Sequence, residues 1–424
     1  MLSNESGADF ELWRTLCSAV ERKHWQAVAL PEGVSPERLV ARSDHLVLFG
    51  RYGGLRRVWV LSTGTRDTRT RETGTRNTGT REPGVSGTAP EQDAWRRVEL
   101  PEEVSIVHAE DHREYQAASY RLGYSSLTTP YSVLELDLAT RRLEVVKATR
   151  VLGGFRSADY GSQRLMARAP DGTEIPISLV FHKQKRRAGG NPLVLTAYGA
   201  YGYSLEPEFD AARLCLLDRG VVFAIAHVRG GGELGHSWHE RGRAMRKQHT
   251  FTDFVACAEH LIDLGITRPE QLGILGESAG GLLVAAVINA RPDLFAAAVA
   301  DCPFVDVLSA LRDPELPLTA SDWLELGDPR QPDERAYITS YSPLENVEPR
   351  AYPAVYATAG LQDPRVPYWG PVKWVARLRE CTTSDRPIVL EVDHEAGHWG
   401  ASSRFDYFEE TARKYAFLLR WLAA

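Results

Sequence analysis

The chain has little of the features that mark several protein classes. Its five cysteines are scattered through 424 residues without a C-x-x-C pair, which argues against a disulfide framework or a cysteine-based metal site. No apolar run approaches the roughly 20 residues that cross a membrane, and the first residues lack the basic-then-apolar pattern of a secretion signal. The formal net charge of −6 gives no reason to expect nucleic acid or an anionic membrane as a partner. We therefore expect a cytoplasmic protein with reduced thiols.

The length is too great for one compact core, so we expect two domains. Short runs typical of strands, separated by turn residues, occupy much of residues 38–147, and this rhythm fits antiparallel blades of a β-propeller. Apolar residues at helical spacing predict one helix before them, over residues 10–20. We assign residues 1–150 to a partial β-propeller.

Residues 62–90 differ from their surroundings, because they repeat threonine, glycine and arginine without an apolar residue that could be buried. Such a segment cannot offset the entropy cost of ordering, so we predict a disordered insertion in a hairpin loop. The basic repeat also raises the alternative of nucleic-acid binding. Interspersed Asp67, Glu72 and Glu82, together with the lack of aromatic residues, argue against that alternative.

From residue 151 onward, segments typical of strands alternate with segments typical of helices. Predicted strands cover residues 192–197, 221–228, 272–275, 296–300, 354–358 and 388–392, and predicted helices cover 209–219, 251–264, 369–379 and 405–422. Alternation of this kind indicates a mostly parallel sheet covered by helices on both faces. The fold class is therefore α/β, with an α/β-hydrolase domain over residues 151–424.

The motif G-x-S-x-G stands between one of these strands and an apolar helix, with Ser278 at its centre. In that context the motif predicts a sharp turn that exposes a serine hydroxyl at the carboxyl edge of the sheet. The backbone N–H of Ala279, at the start of the helix, is then a candidate donor to an oxyanion.

A nucleophilic serine needs a base and an acid, which in this fold follow it in the order Asp or Glu, then His. Asp363 follows one later predicted strand and His398 follows the next, so both are expected at the same sheet edge as Ser278. His394 competes with His398, but it lies closer to the strand end and lacks flanking glycine. Taken singly, Asp363 could be a turn former and His398 a surface residue. Their order after successive strands favours a catalytic triad.

A second oxyanion donor should come from the loop after an earlier strand. That loop contains Tyr198 and Tyr201 among glycines. Either hydroxyl is a candidate donor, and the alternative is that both rings only pack over the glycines.

These residues resemble the prolyl oligopeptidase family of serine peptidases, and within it the oligopeptidase B branch. The resemblance is good over residues 95–424 and weaker over 38–61. The segments that carry it are Tyr124–Pro130, Phe155, Asp171–Ser178, Tyr198–Gly202, His227–Gly235, Gly276–Gly281, Pro303–Asp306, Tyr341–Pro343, Asp363–Val366 and Ala396–His398. The resemblance implies hydrolysis of short peptides without a metal or cofactor.

The resemblance also implies roles for individual residues. It makes Tyr198, with the N–H of Ala279, the oxyanion site, and it suggests that Arg365 holds the substrate backbone. In the oligopeptidase B branch, cleavage after arginine or lysine depends on acidic side chains. Positions that match them are Glu206, Glu208, Asp322 and Leu324.

Leu324 stands where the family has a glutamate, which weakens the expected preference for basic residues. Glu325 is a candidate replacement, although successive residues of a helix point about 100° apart. The expected partners are therefore short peptides, with basic residues favoured by a reduced set of acids.

The chain also departs from the family in length. Seven propeller blades of about 40–45 residues each need roughly 300 residues, whereas about 150 precede the hydrolase domain. Two or three blades fit at most. We therefore keep three hypotheses: an active serine oligopeptidase, an esterase-like hydrolase, and a non-catalytic fragment that binds partners.

Overall fold

The computed structural model describes residues 1–4, 10–63, 94–111, 113–400 and 403–422. Three small antiparallel sheets come first, and an eight-stranded mixed sheet follows. No helix in the described part of the chain is both long and apolar enough to cross a membrane.

A three-stranded sheet forms at the start, and it corrects the helix predicted over residues 10–20. Its strands are β1 (Leu2–Ser3), β2 (Glu11–Arg14) and β3 (Gln26–Val28). Leu12 is buried because it pairs with Leu2 and Val28 on the two neighbouring strands. Leu16 stays exposed, so the apolar residues at helical spacing do not form one buried face.

Two four-stranded sheets follow, as expected for propeller blades. The first contains β4 (Ser35–Ala41), β5 (His45–Tyr52), β6 (Leu55–Ser62) and β7 (Arg96–Arg97), and the second contains β8 (Ser105–Ala109), β9 (Ser119–Ser126), β10 (Ser132–Asp137) and β11 (Leu143–Ala148). One apolar cluster draws residues from both sheets, including Phe49 and Tyr120, whose rings lie 6.1 Å apart. Of the insertion predicted over 62–90, residues 64–90 lie outside the described part of the chain.

The eight-stranded sheet confirms the predicted α/β-hydrolase architecture. Its strands run in the spatial order β12-β13-β15-β14-β16-β17-β18-β19, and every pair from β15 to β19 is parallel. The antiparallel β12 and β13 form one edge. Bounds are β12 (Tyr160–Arg168), β13 (Glu174–His182), β14 (Leu193–Thr196), β15 (Val222–Ala226), β16 (Leu272–Glu277), β17 (Ala297–Asp301), β18 (Ala354–Gly360) and β19 (Ile388–Asp393).

Helices cover both faces of this sheet. They are α1 (Leu214–Leu217), α2 (His236–Glu240), α3 (Gln248–Asp263), α4 (Ala279–Ala290), α5 (Val307–Arg312), α6 (Thr319–Leu326), α7 (Pro332–Thr339), α8 (Trp369–Cys381) and α9 (Arg404–Trp421). The helix predicted over residues 209–219 is correct only for the single turn of α1. Asp210 explains part of the difference, because its carboxylate binds the N–H of Ala212 in a local turn.

Strand residues alternate between two apolar clusters, one on each face. In β15, Phe223 belongs to the cluster that includes residues of α1 and α9, whereas Ala224 belongs to the cluster that includes residues of α3, α4 and α8. Side chains that alternate along a strand must point to opposite faces, so a strand buried on both sides has to be apolar throughout. The parallel strands therefore present their carboxyl ends along one edge, where loops can carry polar groups.

Candidate active site

The predicted serine turn lies at the carboxyl end of β16, in the middle of the sheet. Ser278 connects β16 to α4 with φ of 56° and ψ of −113°, a conformation that a non-glycine residue rarely adopts. Two backbone hydrogen bonds join it to the end of β17 and the loop that follows: the Ser278 N–H donates to the Asp301 carbonyl at 2.8 Å, and the Phe304 N–H donates to the Ser278 carbonyl at 3.1 Å. The neighbouring strand end thus fixes the strained residue.

Two glycines of the motif are required by close backbone contacts. A Cβ atom on Gly276 would lie 2.1 Å from the Gly280 carbonyl oxygen, and one on Gly280 would lie 2.7 Å from the Ala197 carbonyl oxygen. Any larger residue would push α4 away from β16 or from the loop after β14. Close packing therefore fixes the positions of the two glycines in the motif, and this is why the motif predicts the turn.

Two groups next to Ser278 can donate to an oxyanion. The Ala279 N–H lies in the first turn of α4, where backbone N–H groups have no partner within the helix. Burial raises the pKa of the Tyr198 hydroxyl. The interaction of this hydroxyl with the Ser278 side chain lowers the same pKa and offsets part of the rise. Tyr198 therefore keeps its proton at neutral pH. The other candidate, Tyr201, donates its hydroxyl to Asp322 Oδ1 at 2.9 Å.

Asp363 and His398 form a buried pair on the loops after β18 and β19. His398 Nδ1 lies 2.7 Å from Asp363 Oδ2, with side chains 3% and 1% exposed respectively. Burial alone would raise the pKa of the Asp363 carboxyl, but bonds from His398 and the N–H groups of Val366 and Arg365 hold it below its usual value. Asp363 therefore stays ionised and can orient the imidazole.

Other contacts relate His398 to the residues around Ser278. Desolvation raises the pKa of the Glu277 carboxyl, directly before Ser278, and the nearby His398 is one of the groups that oppose this rise. The Trp399 ring lies 5.0 Å from the His398 ring, and the Arg365 guanidinium lies 4.9 Å from the centre of the Trp399 ring. His394, the alternative base, is exposed.

A cavity of about 810 Å³ opens above Ser278. It brings together five of the nine predicted site residues: Tyr198, Ser278, Ala279, Asp322 and Arg365. Aromatic residues supply much of the remaining wall, among them Tyr203, Phe304 and Trp399. Such a mixture of apolar wall and few polar groups is typical of a site for a small organic ligand or peptide.

Asp322 is one of the acids that line this cavity, together with Asp210, Glu277 and Asp301. Burial raises the pKa of its carboxyl to about 6, and the neighbouring Glu325 adds to the rise. Leu324 is 71% exposed and Glu325 is buried. Glu325 binds His239 Nε2 at 2.6 Å and lies 3.5 Å from Lys247 Nζ, so it does not take the place of the missing acid at position 324.

Glu206 and Glu208 contact the first two four-stranded sheets rather than lining the cavity. The Glu206 carboxylate accepts hydrogen bonds from the guanidinium of Arg51, which also donates to Glu37 at 2.7 Å. Glu208 Oε1 lies 3.3 Å from His108 Nε2. Both acids therefore already have partners on the blades.

The pairing of Glu206 predicts a stability effect. Arg51 has only 5% of its side chain exposed, so Glu206→Gln leaves a buried guanidinium with Glu37 as its remaining acid. We expect the free energy of unfolding to fall by about 2 kcal/mol, less than the about 3–5 kcal/mol for a fully unpaired buried charge.

Denaturation in urea measures this change. Glu208→Gln is the matched control, because its side chain is 51% exposed and an exposed pair contributes at most about 1 kcal/mol. Equal effects of the two substitutions would contradict the buried contact.

One group of side chains among the described residues has the spacing of metal ligands. Donor atoms of His236, His239 and Glu240 all lie within 4.8 Å of one another. Glu240 already accepts from Arg243 at 2.8 Å, and His239 is bound to Glu325. Two of the three donors are therefore occupied, and we assign no ion to them.

Sequence reasoning missed Arg51 and Lys247, which hold two of the acids discussed above. Each lies far along the chain from its partner, and neither belongs to a motif. Arg51 stands in a strand of the first blade, and Lys247 precedes α3. Only the fold could bring them to the site.

Comparison with known proteins agrees with this architecture. The family model described as "Prolyl oligopeptidase family" matches residues 207–424, and the model "Prolyl oligopeptidase, N-terminal beta-propeller domain" matches residues 1–149. The first of these matches covers just over half of the chain. It includes Ser278, Asp363 and His398.

Individual relatives match over long stretches. "Protease 2" of Moraxella lacunata is 36% identical over 419 residues, 99% of this chain and 56% of the relative. "Dipeptidyl aminopeptidase BI" of Pseudoxanthomonas mexicana is 41% identical over 300 residues, 70% of this chain and 41% of the relative. Oligopeptidase B from Trypanosoma brucei, solved with covalently bound antipain, has a TM-score of 0.85 at 40% identity and covers all of this chain and 57% of its own.

The chain thus spans about half the length of the relatives it matches. The match to the propeller domain covers the residues that form the blades, and the other match covers most of the hydrolase sheet and the serine turn. On this evidence the chain belongs to the prolyl oligopeptidase family of serine peptidases.

Proposed function

We propose that the chain hydrolyses peptide bonds in short peptides through an acyl-enzyme on Ser278. The observation that carries this proposal is the buried hydrogen bond between Asp363 and His398, on loops at the sheet edge where the strained Ser278 also lies. A serine is a weak nucleophile unless a base removes its proton. An oriented imidazole at the same edge supplies that base.

The first step forms the acyl-enzyme. His398 takes the proton of the Ser278 hydroxyl as the oxygen attacks the scissile carbonyl, while Asp363 fixes the tautomer of the ring and stabilises the imidazolium. The Tyr198 hydroxyl and the Ala279 N–H donate to the developing oxyanion. His398 then gives the proton to the leaving amine.

The second step releases the acid product. Water enters, His398 removes a proton from it, and the resulting attack on the acyl carbon passes through a second oxyanion at the same two donors. Collapse of this intermediate returns the proton to Ser278 and frees the carboxyl end of the first fragment. Every proton transfer in the cycle therefore uses the same histidine.

We propose Asp322 as the group that favours a basic side chain. Its carboxylate lines the cavity with Ser278, and a guanidinium or ammonium group needs such a carboxylate within reach. Glu206 and Glu208 are already paired with Arg51 and His108, so a substrate would have to compete for them. Arg365 remains the candidate for holding the substrate backbone at the cavity wall.

We also propose that the chain divides near residue 150 into a blade unit, 1–150, and a hydrolase unit, 151–424. Strand β11 ends at Ala148 and strand β12 begins at Tyr160, so the proposed boundary falls between two sheets. The ion pair between Arg51 and Glu206 would then fasten the first blade to the hydrolase unit.

The raised pKa of Asp322 predicts that the preference for basic substrates depends on pH. As the pH falls through about 6, Asp322 gains a proton and loses its attraction for a cation. We expect the ratio of kcat/KM for an arginine peptide to that for its norleucine analogue to fall by up to about tenfold between pH 7.5 and pH 5.

Taking the ratio removes any pH dependence of the catalytic steps that the two substrates share. Asp322→Asn should give a low ratio that does not change with pH. Asp210→Asn, at another acid of the same cavity, should keep the pH dependence of the wild type. A wild-type ratio that stays constant from pH 5 to pH 7.5 would rule out Asp322 as the specificity group.

The proposed function is tested with three substrates of different class. They are a fluorogenic amide after arginine, the same amide after proline, and a p-nitrophenyl ester. We expect cleavage of the arginine amide to exceed that of the proline amide. Turnover of the ester alone would identify an esterase, and no turnover by a cooperatively folded chain would indicate a non-catalytic fragment.

A further inference from the structure

A buried lysine contacts the loop that carries the oxyanion tyrosine. Lys247 Nζ donates a hydrogen bond to the Gly199 carbonyl at 2.7 Å, and only 1% of the lysine side chain is exposed. Gly199 directly follows Tyr198 in the sequence. The lysine therefore holds the peptide group next to the residue that we place at the oxyanion.

The loop has little freedom at this point. Gly199 has φ of +67°, and a Cβ atom there would lie 2.4 Å from Thr250 Cγ2 and 2.8 Å from Val228 Cγ2. The hydroxyl of Thr250 donates to the Arg229 carbonyl at 2.7 Å and lies 3.3 Å from the Gly199 carbonyl oxygen. The glycine is thus packed against the first turn of α3, and Lys247 supplies the charged donor of this contact.

A carboxylate compensates the charge of the lysine. Glu325 Oε1 lies 3.5 Å from Lys247 Nζ, and its other oxygen binds His239. Glu325 belongs to α6, which also carries Asp322. One short helix therefore contacts the oxyanion loop twice, through Lys247 at Gly199 and through Tyr201 at Asp322.

The proposed mechanism uses neither Lys247 nor Glu325, and burying such a pair is costly unless its hydrogen bonds are well placed. A charged donor buried against a carbonyl fixes the orientation of that peptide group more firmly than a neutral donor does. Donors to an oxyanion stabilise the transition state only if they are held in place before the reaction.

We infer that Lys247 is a positioning residue for catalysis: through the Gly199 carbonyl it holds the Tyr198 hydroxyl where the oxyanion forms. This inference rests on the proposed peptidase function and assigns a role to a residue outside the triad. Burial lowers the pKa of Lys247, and Glu325 opposes this fall and directs the ammonium group at the loop.

Lys247→Met tests the inference, because methionine retains most of the side-chain length and removes the donor. We expect kcat to fall by about 10- to 100-fold, less than the 10²- to 10³-fold loss of an oxyanion donor itself, and KM to stay within about twofold. Affinity for a peptide aldehyde, whose adduct carries an oxyanion, should fall with kcat. Affinity for an uncleaved competing peptide should not.

A double-mutant cycle with Tyr198→Phe separates positioning from general damage. If Lys247 acts through the tyrosine hydroxyl, Lys247→Met should cost less than about threefold in the Tyr198→Phe background. Lys183→Met is the matched control, since Lys183 also donates to a backbone carbonyl, that of Ala158 at 2.9 Å, but on the exposed surface. It should leave kcat unchanged.

Glu325→Gln provides a second variant should Lys247→Met fail to fold. Glutamine keeps the size and an acceptor while removing the charge that holds the ammonium group, and we expect a fall of about three- to tenfold in kcat that also disappears with Tyr198→Phe. An unchanged kcat in folded variants, or equal losses with and without the tyrosine hydroxyl, would overturn the inference. An inactive wild-type chain would overturn the proposed function and this inference with it.

Discussion

Replacing Ser278 by alanine is expected to lower kcat for peptide hydrolysis by about a million-fold. The substitution removes the only atom proposed to bond to the acyl group, and loss of the nucleophile in a serine protease triad has an effect of that size. Binding is expected to persist, because Tyr198, Asp322 and Arg365 still line the cavity. Steady-state kinetics with the arginine amide measure kcat, and displacement of a labelled peptide measures binding.

Ser321→Ala is the matched control for this experiment. Ser321 lines the same cavity, and its hydroxyl donates to the Leu318 carbonyl at 2.7 Å. This variant should retain activity within a few fold. If Ser278→Ala kept more than one part in a thousand of the wild-type rate, another residue would have to be the nucleophile.

Replacing His398 by alanine is expected to have nearly the same effect. Without the imidazole the hydroxyl of Ser278 keeps its proton, and members of a triad act as a unit, so loss of the base costs about as much as loss of the nucleophile. Asp363→Asn should cost less, about ten-thousand-fold, because an amide orients the ring in the wrong tautomer. Steady-state kinetics with the arginine amide measure both losses.

His394→Ala distinguishes the two histidines of this loop. His394 is exposed, whereas His398 is buried against Asp363, so only the latter is oriented to serve as a base. The His394 variant should therefore behave like the wild type. Strong loss of activity on changing His394, with little loss on changing His398, would reverse the assignment.

Residues whose roles are local or repeated could be predicted from the sequence. Gly276 and Gly280 are spaced by contacts within one turn, so the motif around Ser278 specifies its own conformation. Strands buried on both faces need apolar residues throughout, which made most strands of the large sheet recognisable. Strand order predicted that Asp363 and His398 lie at one edge of the sheet, because parallel strands end there, and their catalytic roles stay a prediction.

Features that depend on distant packing could not be predicted. The helix expected over residues 10–20 does not form, because Leu12 pairs with residues of β1 and β3 instead. The spacing of apolar residues along the sequence carries no information about such strand pairing. The partners of Glu206 and Glu325 are Arg51 and Lys247, which lie 155 and 78 positions away. No local sequence pattern predicts a buried charge whose counter-ion lies so far along the chain.

The most direct test of the central claim is the rate at which a fluorophosphonate modifies the folded chain, with the modified residue mapped by mass spectrometry. We predict a single adduct on Ser278 that forms readily in the wild type and is nearly absent in His398→Ala. An adduct at another residue, or labelling of Ser278 at the wild-type rate without the imidazole, would contradict the proposal that His398 activates this serine.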